Sequence, residues 1–535
     1  MIGKFGKHII AFILLFNGIN FAQVYPSISN VLRYGTGQRS IATYKGKFEY
    51  FENLTDLKIS FPKNITAGIR FLYDSPPEIG TPFKGLKRRF VEYRDDNIYL
   101  RVGNFSELYG RGTAINLFES RGIGYDTWMD GLSAKYSSKY FNVSLVGGSL
   151  DFRDSVELSR KEYYDIRGGN VEIVPSDFLS AGFSFIHAKG NFKLLPADKQ
   201  IEANIPSFYL TTNLRNLSFL VDYSYKRTRE MATNKIYGGY GLYSSLSYNF
   251  DKAGITIDYK NYLYDEEDPF TRNDISRTMR MLPFQNPPIV MKEQSYTLLT
   301  RAIHKIDFND EVGLQLEVFY SINENTSLDF NASLASRHNL FLYDNNAFSF
   351  SKLNRNGNFL PSLNEKYSPY YELFTEVEHF LAGRSSFKIA AATRSMTLYI
   401  EFTGGENNHI MRSTVFPFQI KHTFNDSYSF EIEYEYESVY DNYNNQSRYY
   451  NQLISFINSF FSKFTITVRY EFTNNHYDLS GRRNWETIEC GLRINQNHSV
   501  TISYGKERGG QICSNGVCRY LQPFEGFRFN LISNI

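Results

Sequence analysis

A strict alternation of side chains constrains this chain more than any other feature. In Phe430-Glu-Ile-Glu-Tyr-Glu-Tyr-Glu437, Phe430, Ile432, Tyr434 and Tyr436 share one face, and Glu431, Glu433, Glu435 and Glu437 share the other. An extended strand separates the two sets because successive side chains point to opposite faces. The plan recurs at Ile466, Val468, Tyr470 and Phe472, which alternate with Thr465, Thr467, Arg469 and Glu471. It recurs again over Leu217 to Lys226, Ile255 to Lys260 and Val312 to Tyr320. The period of two persists from Tyr44 to Ile535, with no helical stripe of useful length. About 22 to 26 such runs have the 9–11 residues of a tilted membrane-crossing strand. Polar turns such as Pro62-Lys-Asn64, Asn425-Asp-Ser427 and Asn495-Gln-Asn497 alternate with longer loops.

Two architectures share this period. A soluble sandwich or propeller turns its apolar face inward. A membrane barrel turns it outward to lipid and keeps polar groups in the lumen. Charges cover the polar faces over whole strand lengths, Tyr and Phe cluster at strand ends, and no repeat of propeller length is present. The expected fold is therefore all-β: one closed antiparallel transmembrane barrel over 44–535. Closure is required physically, because an open edge in lipid leaves unpaired backbone groups costing several kcal/mol each.

Composition excludes several classes. With 41 Tyr and 46 Phe in 535 residues the chain is not disordered, and with 3 Cys it is not a disulfide scaffold. Its 58 Lys+Arg against 56 Asp+Glu give no basic surplus for nucleic acid.

The N-terminus reads as an export signal. Lys4 and Lys7 precede the apolar run Ile9 to Phe16, and Asn20-Phe21-Ala22 precedes Gln23. The run is too short to span a bilayer as a helix, so cleavage after Ala22 is expected. Removing 1–22 leaves acidic and basic residues equal in number. Residues 23–43 are expected to form a short periplasmic segment, too small to plug a lumen. The predicted location is the outer membrane. The partners expected are its lipid and lipopolysaccharide and the barrel-insertion machinery.

The segment Val102-Gly-Asn-Phe-Ser-Glu-Leu-Tyr-Gly-Arg-Gly112 leads into Phe118-Glu-Ser-Arg-Gly-Ile-Gly-Tyr-Asp126 and Asp130-Gly131. With Asn286-Pro-Pro288, Lys292-Glu293 and Cys513-Ser-Asn-Gly-Val-Cys-Arg519, it resembles an uncharacterised family of outer-membrane barrels from Bacteroidota-type bacteria. The resemblance implies a location and no chemistry. One departure is the terminal Ile535, where barrel proteins usually end in Phe or Trp. Recognition by the insertion machinery then falls to Phe527 and Phe529.

Several clusters are candidates for function. Arg111, Glu119, Arg121, Asp126 and Asp130 crowd a glycine-rich stretch, and the Glu431 to Glu437 stripe has Lys421 and Arg469 as expected partners. Both groups fit either a bracing network of lumenal ion pairs or a charged filter such as pores use. Loop 264–292, with four prolines, and loop 337–366 fit either surface loops or segments folded into the barrel. Asn515-Gly516 signals a two-residue turn that sets Cys513 opposite Cys518, a geometry that admits a disulfide. Cys490 reads as an apolar filler.

Catalytic signals are weak. The histidines are scattered, and neither a metal-binding spacing nor a nucleophile elbow nor a P-loop is present. No enzyme activity, cofactor or metal is expected. The expected function is a porin-like channel with a charged lumen. The alternative is a non-conducting barrel that serves a secretion or surface-attachment apparatus, with secretion-system proteins as partners. A barrel-embedded hydrolase, needing Ser or Asp beside a His at one rim, is the third reading.

Overall fold

The computed structural model describes residues 24–535 apart from 42–43, 156–157, 159, 193–197, 265–281, 302–303, 305–306, 382–383, 479 and 515–516. The signal segment 1–22 lies outside the described residues. Twenty-four strands form one sheet in which every pairing is antiparallel. Sequence neighbours pair around the wall, and the first strand, Tyr25–Ile41, closes on the last, Phe524–Asn534. The sheet therefore has no free edge, which is the condition for standing in lipid.

One expectation is corrected here. Residues 23–43 are not a periplasmic segment outside the barrel: Tyr25–Ile41 is a wall strand, paired along its length with Tyr44–Phe61. Its glycines, Gly35 and Gly37, weaken the alternation that marks the other strands. Closure nevertheless demands a partner for Phe524–Asn534.

The strand number is even, so both termini lie at the same end. The turns at that end are short, such as 62–64, 215–216 and 426–427. Asn425 makes one of them by accepting the backbone N–H of Ser427 (2.8 Å) and Tyr428 (3.0 Å) through its side chain. The opposite end carries the long connections 106–128, 264–310, 337–369 and 508–523.

Alternation sorts the wall. Exposed apolar side chains such as Ile257, Ile389, Val468, Ile488 and Ile502 form an outward belt. Among the described residues no helix is long and apolar enough to cross a membrane. Strands do the crossing: a closed sheet with an apolar outer belt, short turns at one end and long loops at the other is an outer-membrane barrel. Cys490 is a free cysteine on the belt, between Ile466 and Ile502 in register.

The lumen is not uniformly polar, as the alternation implies. Over the strands from Phe141–Arg153 to Lys199–Leu214, the inward face carries Leu150, Phe152, Tyr164, Ile166, Ile186, Ile201 and Ile205, all buried. Phe105 at the end of a wall strand, Tyr109, Ile115, Leu117 and Ile123 from one long connection, and Leu282 and Phe284 from another, pack with them as one core. At about 1.5–3 kcal/mol per large apolar side chain buried, these loops are part of the folded lumen.

Candidate functional site: a loop-filled, charged lumen

Two connections enter the lumen and lock together. Asn116 N–H donates to the Phe284 carbonyl (2.7 Å), and the Asn116 amide donates to the Asn286 carbonyl (2.8 Å). Gln285 donates to the Thr113 carbonyl (2.9 Å), and the Tyr125 hydroxyl donates to the Pro283 carbonyl (2.6 Å). The wall grips this interlock. Asp222 accepts the Arg111 N–H (2.6 Å) and the Thr113 hydroxyl (2.7 Å), and Tyr264 donates to the Thr113 carbonyl (3.0 Å). Asn286-Pro287-Pro288 is thus a contact strip: Tyr262 reaches the Pro288 carbonyl (2.8 Å), and Lys260 the Ile289 carbonyl (2.8 Å). Proline suits it, since a strip held through its carbonyls needs no amide donor there.

Beyond Met291 the inserted chain runs along a row of wall carboxylates. Gln294 donates to Glu372 (2.7 Å) and Tyr296 to Glu376 (2.5 Å). Glu435 accepts the N–H groups of Thr297 (2.8 Å) and Leu298 (2.7 Å), which open the short helix Thr297–Arg301. First-turn N–H groups have no partner within a helix, and a carboxylate suits them. Arg394 donates to the Leu299 carbonyl (2.6 Å) at the other end and reaches Glu437 (3.3 Å). Arg301 pairs with Glu471, which also holds Arg508 (2.9 Å).

The glutamate stripe faces inward and divides its work. Glu435 and Glu437 are buried against the inserted chain, and Glu437 also accepts from Asn451 (2.8 Å). Glu431 accepts from Gln419 (2.5 Å), while Lys421 lies directly across in register. Glu433 and Arg469 stand level, each opposite Ser455. Arg469 is exposed to the lumen, as is the side chain of Arg111.

The glycine-rich cluster meets the wall on the other side. Glu119 bridges Arg70 (2.7 Å) and Arg88 (2.9 Å); Asp126 bridges Arg88 (2.9 Å) and Lys87 (3.1 Å). Burial opposes ionisation of Asp126, but Lys87 and Arg88 outweigh it and hold the carboxyl below its usual range. Arg121 pairs with Glu52. Asp130 edges the same cavity as Glu119, Arg121 and Asp126, but its ion pair lies on the other face of the wall. Met129 and Ser133 are buried in the lumen, so alternation turns Asp130 outward, where it meets the exposed Arg89 at 3.1 Å. A cavity of about 450 Å³ touches Arg33, Glu52, Glu78, Arg88, Glu119 and Arg121; another of about 470 Å³ touches Arg301, Glu437, Asp478 and Arg508.

Asp222, Arg394, Glu52, Glu78, Arg70 and Arg88 are site residues that motif reading missed. Their signal was their position as charges on the polar face of a strand or in a short loop. The backbone pairs Cys513 with Cys518, but their side chains, and so the disulfide, lie outside the described residues. His338 bonds Asp310 through Nδ1 (2.9 Å) and Asn261 through Nε2 (2.7 Å), so both ring nitrogens are engaged. Among the described residues, no three His, Cys, Asp or Glu are grouped to hold a metal.

The solved structures similar in fold include the siderophore receptor PirA from Pseudomonas aeruginosa. It shares 9% identity at a TM-score of 0.45, with 95% of this chain and 80% of that chain covered. The P pilus usher (PapC) translocation pore shares 9% identity at a TM-score of 0.41, with 95% of this chain and 99% of that chain covered. The outer membrane protein OprD from Pseudomonas aeruginosa shares 13% identity at a TM-score of 0.35, with 69% and 87% covered. No curated protein matches the chain. The model of one family matches residues 26–535, and the chain belongs to it: the family of unknown function DUF6029.

Proposed function

We propose that this barrel is a porin-like channel whose passage is set by loops held inside it. The observation that carries the reading is the division of the lumen. One flank is sealed by a packed apolar core under loops 106–128 and 282–291. The cavities that remain are lined by Arg, Glu and Asp from wall and loop together. A solute moving there meets fixed charges of both signs in a narrow, partly desolvated space, which discriminates by charge and size. Arg111 and Arg469, exposed and inward, are the cations such a solute meets first.

A second reading has its own support. The interlock of Asn116 with Asn286 and the capping of Thr297–Arg301 by Glu435 suit a closed barrel that braces a secretion or surface-attachment apparatus. Conductance separates the two. Folded, heat-modifiable protein in a planar bilayer is expected to give small, uniform current steps. A silent bilayer from such protein overturns the channel and leaves the closed barrel, whose partner proteins should then co-purify.

A further inference from the structure

A further long connection, 337–369, goes the opposite way. It packs on neighbouring connections, through Arg337 with Glu401, Tyr343 with Phe402 and His338 with Asp310, and on wall residues that face outward. On the strand Ala253–Leu263, Asp258 and Lys260 point into the lumen, where they meet Tyr243 and the inserted chain. Alternation therefore turns Tyr259 and Asn261 out. The Tyr259 hydroxyl donates to the Phe359 carbonyl at 2.6 Å, and Asn261 accepts from His338 at 2.7 Å. Ser336 is also outward, since the inward Ala335 packs against Met291; its hydroxyl accepts the Ser362 N–H at 2.9 Å. Three tethers on the two strands that flank Glu311–Asn323 thus hold this loop against the outside of the wall.

The held segment is apolar where it is exposed. Phe359, Leu360 and Leu363 are 59%, 51% and 63% exposed within five residues. Arg355 ties the turn together by donating to the Leu360 carbonyl at 2.6 Å, with its guanidinium 4.8 Å from the centre of the Tyr367 ring. Water is a poor medium for three large apolar groups presented together on an ordered turn. Tyr259 lies two residues from Ile257, an exposed member of the outward belt. The patch is thus continuous with the surface that lipid already covers. Lys366, exposed just beyond, lies within reach of a lipid phosphate from a turn at the interface.

We propose that residues 355–366 are an outer-leaflet anchor, with Phe359, Leu360 and Leu363 entering the acyl layer beside the barrel. The occupant is the hydrocarbon of membrane lipid. This reading is independent of whether the lumen conducts.

Depth-dependent quenching tests it on the full barrel. Trp485 is buried and Trp128 half-buried, and their emission, measured on the unsubstituted barrel under each condition, is subtracted. Phe359→Trp is reconstituted into phosphatidylcholine vesicles with ordinary or brominated acyl chains. The added emission should be blue-shifted, should lose most of its intensity in brominated lipid and should resist aqueous acrylamide. Emission at the wavelength of a water-exposed indole, quenched by acrylamide and indifferent to bromine, overturns the anchor. Leu363→Trp repeats the reading on the same turn. Heat-modifiable migration shows which variants are folded, so a failure of one substitution to fold leaves the other to decide.

Discussion

Glu435, on the barrel wall, accepts the backbone N–H of Leu298 at 2.7 Å although the two residues are 137 positions apart. The same carboxylate holds Thr297. Glu435→Ala leaves two buried N–H donors without a partner, at about 1–3 kcal/mol each. The helix Thr297–Arg301 should then loosen while the wall stays folded. Hydrogen exchange should rise over 294–301 and not in the strand Tyr428–Asp441, and single-channel conductance should increase. Unchanged exchange over the helix refutes the capping role.

The interlock of the inserted loops makes a second prediction. Asn116→Ala removes the amide bond to the Asn286 carbonyl, and Asn286→Ala removes the bonds that Asn286 donates to Asn116 (3.3 Å) and Pro283 (2.9 Å). Each should cost about 1 kcal/mol per bond, and the two should be non-additive because they share partners. A double-mutant cycle on the thermal transition of the folded barrel measures this. Strict additivity means the two loops pack side by side without energetic coupling.

Charge selectivity provides a third. The hydrogen bond from Arg111 to Asp222 runs through the backbone N–H, and the Arg111 side chain stays exposed in the lumen. Arg111→Gln should therefore shift the reversal potential toward cations without lowering stability. Glu431→Gln should shift it the other way. If neither moves the potential, the filter lies elsewhere.

Asp126 sets a pH dependence. Its carboxyl is held below the usual range in the folded protein, so its contribution is complete above the ordinary carboxylate pKa of about 3.9 and fades as pH falls through the lower folded value. The short hairpin Glu119–Asp126 should detach from Arg88 in that acidic window and not between pH 5 and 8. Limited proteolysis at Arg121 against pH reads the detachment. Asp126→Asn should remove this group's contribution to the acid step.

Glycine makes the fifth prediction. Gly103 has φ +104°, and a Cβ there would stand 2.2 Å from the Arg89 carbonyl oxygen. It faces Gly131, where a Cβ would stand 2.1 Å from the Gly147 carbonyl oxygen. Gly103→Ala should lower the temperature of heat modification more than Gly122→Ala, since a Cβ on Gly122 meets open space. Equal effects contradict the close approach.

The alternation of Phe430, Ile432, Tyr434 and Tyr436 with four glutamates determined, by itself, that this chain builds strands with one apolar face. A side-chain period of two is local, so any window of eight residues displays it. The need to pair every edge in lipid then required closure, and turn residues such as Asn425 marked where strands reverse. The first strand, Tyr25–Ile41, escaped because two glycines blur its period and its pairing with Phe524–Asn534 spans nearly the whole chain. The direction taken by each loop was also beyond the sequence. Loops 264–292 and 337–366 read alike, yet the tertiary structure puts residues 282–291 inside and ties 337–363 to the outer wall. That choice rests on distant partners: Tyr262, Lys260 and Glu435 point inward, whereas Tyr259, Asn261 and Ser336 point outward. The same geometry turned Asp130 out to Arg89 while Asp126 stayed in with Arg88. Residue type assigns a face along a strand; which face becomes lumen, and which loop fills it, is decided only when all the strands have closed.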